Sequence, residues 1–146
     1  MEQSVSLWRT CRPALWPAAV YSIGLSVWSF FSPNLTEVNL GVVLDSLVWE
    51  VPVFALAAWA GWLMAARGDK FIRAGLAGVL VFLVEHLIVH GATFILEAII
   101  ANVPDLLMAL GGVVLSFLLF APVYFIVGLC GAALARFVAG VRARAA

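Results

Sequence analysis

The sequence predicts an all-α polytopic membrane protein, a four-transmembrane-helix bundle, from its composition, its hydropathy and the placement of its charges. Hydrophobic residues make up 65% of the 146 residues and charged residues 11%, whereas a soluble domain is roughly 45–50% apolar and about 25% charged. The mean hydropathy is +1.13. Helices are predicted rather than open strands, because isolated strands would leave backbone groups unpaired in lipid.

Four apolar segments are long enough to cross a bilayer, which takes about 20 residues at a rise of about 1.5 Å per residue. We predict spans at residues 13–31, 45–66, 74–97 and 108–135. They are predicted to form a single integral membrane domain over residues 1–146.

Local signals agree with two of these boundaries. Gly68 suits the C-terminus of the second helix. Pro104 and Asp105 suit the first turn of the fourth, where a missing N–H and a negative charge are both tolerated.

The basic residues predict the orientation. All eight lie before helix one, between helices two and three, or after helix four: Arg9, Arg12, Arg67, Lys70, Arg73, Arg136, Arg142 and Arg144. The positive-inside rule then places both termini in the cytoplasm. The Arg-rich, Lys-poor, Ala-rich composition is compatible with a GC-rich bacterium, so we expect the protein in a bacterial inner membrane. The tryptophans near predicted interfaces are typical of aromatic belts: Trp8, Trp16, Trp28 and Trp62.

Acidic and histidine side chains interrupt the second and third apolar runs. Glu50 lies 17 residues from Arg67, and His90 lies 17 residues from Arg73, so both are about 25 Å from the basic end. Glu85 and His86 come to about 18 and 20 Å on the same scale. We therefore expect a buried site in the half of the bundle away from the basic residues.

Helical periodicity adds residues to this predicted site. Glu97 and Thr93 share a stripe with the two histidines on helix three. Asp45 on helix two and the hydroxyl groups of Ser22 and Ser26 on helix one are candidate supporting groups.

The small residues predict where helices pack closely. Glu50 shares a helix face with Ala57 and Gly61, a small-residue stripe that favours close packing in membranes. On helix four, the residues expected to allow close approach are Gly112, Ser116, Gly128 and Ala132. That helix contributes no ionisable group to the predicted site.

The energetics make this cluster informative. An acidic group at the bilayer centre costs on the order of 3 kcal/mol. No Lys or Arg lies at this depth, so the carboxyl groups must be paired, protonated or in contact with water. The favoured hypothesis is a site that binds or conducts a proton or a metal cation, as intramembrane carboxylates often do.

A metal site is one form of that hypothesis. His86 and His90, four residues apart, could bind a transition metal, with Glu50, Glu85 or Glu97 completing the ligand set. The Glu-x-x-His signature of diiron proteins is absent from helix three. Because both histidines project the same way, they could supply only a single axial ligand to haem.

Two alternatives stay open. In one, the chain is a non-catalytic accessory or assembly subunit whose polar groups hold helices together in a homo-oligomer or a larger membrane complex. There, Pro52 could begin the true spanning helix and Gly91 could end helix three early. In the other, it is a membrane metalloenzyme. The sequence favours no enzyme, because it contains no Gly-x-Ser-x-Gly or phosphate loop. Its net charge of zero implies no nucleic-acid partner.

Overall fold

In a computed structural model, the chain forms four α-helices over the residues that the structure describes. Its backbone is described for residues 6–31, 40–100 and 103–145, and its side chains for residues 6–28, 50–91 and 107–145. The helices are α1 (Leu7–Phe31), α2 (Leu40–Ala66), α3 (Phe71–Ile100) and α4 (Val103–Ala145). No strand occurs in these ranges, which confirms the all-α prediction for them.

The first and last helices, α1 and α4, extend past their predicted spans at the basic end. Helix α1 begins at Leu7, not at residue 13, and the Ser6 carbonyl accepts hydrogen bonds from the N–H groups of Arg9 and Thr10 at 3.0 and 3.3 Å. Helix α4 continues ten residues past residue 135, to Ala145, through a segment rich in the helix formers Ala and Arg. Hydropathy marks where an apolar run stops, whereas a helix continues as long as its backbone bonds and propensities allow.

Neither Pro52 nor Gly91 is a helix boundary. Helix α2 runs through Pro52, and α3 runs through Gly91 to Ile100. The proline deprives its helix of one backbone hydrogen bond, and an interior glycine costs only about 1 kcal/mol. The predicted early end of helix three at Gly91 is therefore wrong, and the helix that contains Pro52 does not begin there.

The turn between α2 and α3 is closed by a glycine. Gly68 has φ +80°, a left-handed conformation that favours glycine. Its N–H donates to the Ala65 carbonyl at 2.9 Å, and the Asp69 N–H donates to the Met64 carbonyl at 3.2 Å. This pair of bonds is the Schellman motif, and it confirms the predicted role of Gly68.

Helices α2 and α3 form the centre of the bundle. Both contact each other and both outer helices, whereas α1 and α4 do not contact one another in the described part of the chain. A group on α2 or α3 can therefore meet partners from either side.

Helix α4 packs against the central pair with almost no side chain between the backbones. A Cβ atom added at Gly61 would overlap the Gly128 carbonyl, and one added at Gly78 would overlap the Tyr124 carbonyl. Gly128 itself faces the Ala74 carbonyl. Close approach at Gly61 and Gly128 agrees with the predicted small-residue stripes. Gly112 was predicted wrongly, since it is exposed and a Cβ there meets open space.

Among the residues with described side chains, two helices are long and apolar enough to cross a membrane. They are Phe71–Gly91 in α3, with a mean hydropathy of 2.0, and Leu107–Ala145 in α4, with 2.5. The described side chains of α2 form a shorter apolar helix, Glu50–Ala66. These lengths support membrane association weakly, and they do not confirm four spans.

Candidate functional site

The polar cluster is built around a hydrogen bond between α2 and α4. The Tyr124 hydroxyl donates to Glu50 Oε2 at 2.5 Å. Tyr124 is only 1% exposed, and its ring stacks on Phe82 with centroids 4.3 Å apart and packs against Phe54 at 4.9 Å. Aromatic contacts on both central helices thus fix the hydroxyl toward the carboxyl group.

Helix α3 adds two buried polar side chains to this cluster. Glu85 is 6% exposed and His86 is 3% exposed. Glu85 and His90 both lie within electrostatic range of Glu50. Glu50, Glu85 and His90 therefore lie near enough to interact electrostatically, and α1 brings Tyr21 within the same range of both carboxyl groups.

His86 has a defined hydrogen-bond role. Its Nε2 lies 2.9 Å from the carbonyl oxygen of Val113 on α4. Because a carbonyl only accepts, the proton must be on Nε2. The ring also packs on Phe82 at 5.0 Å, on Phe117 at 5.7 Å and on His90 at 4.3 Å between centroids. The imidazole therefore links α3 to α4 within an aromatic cluster.

The same bond bears on the predicted metal site. A metal ligand must offer an unprotonated nitrogen. Donation from Nε2 to a backbone carbonyl leaves Nδ1 of His86 unprotonated, and metal-ligating histidines commonly donate their other N–H in this way. Among the residues with described side chains, no group of three His, Cys, Asp or Glu is placed to hold a metal ion. A transition metal or a single-ligand haem stays a prediction.

The remaining predicted site residues are three on α2 and α3 and two serines on α1. The side chains of Asp45, Thr93 and Glu97 lie outside the described residues. The Ser22 hydroxyl donates to the Ala18 carbonyl at 2.7 Å, and the Ser26 hydroxyl donates to the Ser22 carbonyl at 2.9 Å. Both hydroxyl protons are thus used within α1.

Three arginines form hydrogen bonds or an ion pair at the end of the bundle opposite the polar cluster. Arg67 donates to the Thr10 hydroxyl at 3.1 Å, joining the α2–α3 turn to α1. Asp69 pairs with Arg73 at 2.7 Å, and its carbonyl accepts from Arg136 at 3.2 Å. The turn therefore meets the start of α1 and the late part of α4 at one end, as the charge pattern predicted.

Sequence reasoning missed Tyr124. It lies 12 residues before Arg136, about 18 Å along the helix, the same depth as Glu85. A search of helix four for hydroxyl groups as well as ionisable ones would have found it. With this tyrosine included, no buried side-chain nitrogen or oxygen in the described part of the chain lacks a hydrogen-bond partner.

Comparison of the chain with protein-family models, with curated proteins and with solved structures found no match. Any function must therefore be inferred from the site itself.

Proposed function

We propose that the chain is a four-span protein of a bacterial inner membrane, with both termini cytoplasmic, that carries protons through a buried carboxyl site. The single observation that carries this proposal is the part-buried hydrogen bond from the buried Tyr124 to Glu50 between α4 and α2. It holds a carboxyl group near a second one, Glu85, with the two histidines beside them.

The charges of the cluster support proton exchange. Two carboxylates in one site repel each other, and such pairs commonly share a proton. Within this cluster, the histidines are the groups that could carry positive charge. The ion pair found among the described residues, between Asp69 and Arg73, lies at the basic end of the bundle. Gaining and losing one proton is therefore the smallest chemical change that this cluster can undergo.

The geometry favours a proton over a metal ion. His86 could offer a metal ion one nitrogen, Nδ1, because its Nε2 donates a hydrogen bond to α4, and a metal ion would require further unprotonated ligands. Protons need only an ordered set of donors and acceptors, and tyrosine, carboxyl and imidazole groups supply them.

The test is proton flux into liposomes that contain the purified protein and a trapped pH-sensitive dye, driven by a potassium diffusion potential with valinomycin. We expect flux well above that of empty liposomes, and its loss in Glu50→Gln. Asp69→Asn is the matched control, because it makes the same carboxyl-to-amide change at the basic end and should leave the flux unchanged. Equal flux in Glu50→Gln and the unmodified protein would refute the proposal, as would wild-type flux no greater than that of empty liposomes.

A second candidate is the accessory subunit. The long apolar helix α4 favours it, because only 11% of its most apolar window is buried inside the bundle. This candidate predicts co-purification with a larger membrane protein in mild detergent, and a complex that persists in Glu50→Gln. A monodisperse protein without partners that still conducts protons would exclude it.

A further inference from the structure

A groove on the outside of the bundle runs along α1 from the basic end. It has a volume of about 360 Å³ and is lined by Trp8, Arg12, Leu15, Trp16 and Ala19 of α1 and by Val84 of α3. Along α1, Trp8, Arg12 and Ala19 are linked by Leu15 and Trp16 at intervals of three or four residues, so these side chains form one helix face. From Trp8 to Ala19 the groove extends about 16 Å along the helix.

The two ends of the groove differ in chemistry. At the outer end of the groove, which is the end near the start of α1, Arg12 is exposed. It makes no ion pair or hydrogen bond within the part of the chain that the structure describes. Arg9 lies one turn away on the same helix. The inner end is formed by Leu15, Ala19 and Val84, which offer no polar side chain. One charged end and one apolar end match the shape of an amphipathic ligand.

The tryptophans place the charged end at a membrane surface. Trp8 is 55% exposed and Trp16 is 62% exposed, and such indoles favour the headgroup region of a bilayer. An arginine at this level can hold a phosphate through two parallel hydrogen bonds. The adjacent Arg9 adds a second positive charge, which favours a lipid with net negative charge over a zwitterionic one.

We propose that this groove binds one anionic phospholipid, with the phosphate on Arg12 and an acyl chain along Leu15, Ala19 and Val84. The proposal rests on the membrane placement of the bundle but not on the proton site. Charge complementarity at the outer end and the apolar inner wall both contribute to the preference for this lipid.

The experiment measures lipid binding by native mass spectrometry of the full chain in detergent. Phosphatidylglycerol, phosphatidylcholine with the same acyl chains, and inorganic phosphate are the three probes. We expect one phosphatidylglycerol to bind more tightly than the other two probes. Arg12→Ala should weaken its binding roughly tenfold or more. Arg142→Ala, an equal loss of charge on the exposed end of α4, should leave binding unchanged.

A second variant tests the apolar half. Ala19→Trp fills the groove while leaving Arg12 in place, so it should also weaken phosphatidylglycerol binding. If Ala19→Trp binds normally, or if phosphatidylcholine binds as tightly, the groove does not select this lipid and the proposal is overturned. Equal losses in Arg12→Ala and Arg142→Ala would overturn it too, because they would mean diffuse attraction. The flux experiment on Glu50→Gln is separate, so either proposal can fail alone.

Discussion

Replacing Tyr124 with phenylalanine removes the hydroxyl that donates to Glu50 and retains the ring that stacks on Phe82. The 2.5 Å separation lies in the range of about 2.5–2.7 Å typical of a hydroxyl bound to a carboxylate. Such charge-assisted bonds contribute about 1.5–3 kcal/mol. Neutral side-chain bonds between membrane helices average only about 0.6 kcal/mol. Because Tyr124 is buried and water cannot replace the lost donor, we expect Tyr124→Phe to lower the free energy of unfolding by about 1.5–2 kcal/mol.

The same substitution in a Glu50→Gln background isolates the contribution of the charge. The amide oxygen of glutamine still accepts a hydrogen bond but carries no charge, so Tyr124→Phe should then cost only about 0.6 kcal/mol. The difference, a coupling of about 1 kcal/mol, is what a double-mutant cycle measures. Unfolding in mixed detergent micelles with increasing dodecyl sulfate, followed by tryptophan fluorescence, gives the four free energies.

A serine on α1 provides the control for this cycle. Ser22 is buried, and its hydroxyl donates to the Ala18 carbonyl of its own helix, so Ser22→Ala should show no coupling with Glu50→Gln. If Tyr124→Phe lowers the free energy of unfolding equally in both backgrounds, the charge of Glu50 does not strengthen its hydrogen bond with Tyr124. The description of this bond as charge-assisted would then be wrong.

Three further predictions concern packing and reactivity. Gly128→Ala should lower the free energy of unfolding by about 1–3 kcal/mol, because a Cβ there would overlap the Ala74 carbonyl; Gly112→Ala, which meets open space, should not lower it, and equal effects would contradict the packing. Gly68→Ala should cost about 1–2 kcal/mol, owing to its φ of +80°, and a neutral result would contradict that conformation. Cys11 is fully buried and burial raises the pKa of its thiol to about 11, so about one molecule in a thousand is a thiolate at pH 8. N-ethylmaleimide should therefore reach Cys11 only after unfolding, as mass spectrometry of the labelled protein would show; rapid labelling of Cys11 in the folded protein would contradict its burial.

The depth of the polar residues could be predicted from the sequence because a helix has a fixed rise per residue. Counting from Arg67 and Arg73 placed Glu50 and Glu85 in the same half of the bundle, and the structure brings them within electrostatic range. The charge pattern likewise predicted the basic end, where Arg136 meets the carbonyl of Asp69. Both predictions needed only distance along a helix and the rule that charges avoid lipid.

The contacts across helices could not be predicted in the same way. The bond from His86 reaches a backbone carbonyl, that of Val113, and every residue has such a carbonyl, so no sequence signal identifies the partner. Tyr124 carries a hydroxyl that hydropathy scales treat as part of an apolar run. Helix rotation decides which side chains meet, and that rotation depends on packing against neighbours.

The close contacts at the glycines fix the rotation of α4 against α3, and they therefore link helix packing to the geometry of the polar cluster. Tyr124 lies one helical turn before Gly128, and its own carbonyl is the atom that a Cβ at Gly78 would overlap. The backbones of α3 and α4 are therefore in contact at the level of Tyr124. An outward shift of α4 would lengthen the 2.5 Å hydrogen bond from the Tyr124 hydroxyl to Glu50. Hydroxyl bonds weaken beyond about 3.0 Å, so even a small shift should suffice. Gly128→Ala should therefore abolish the coupling between Tyr124 and Glu50 as well as lower stability. If the coupling persists in that background, the tyrosine is held by its aromatic neighbours alone.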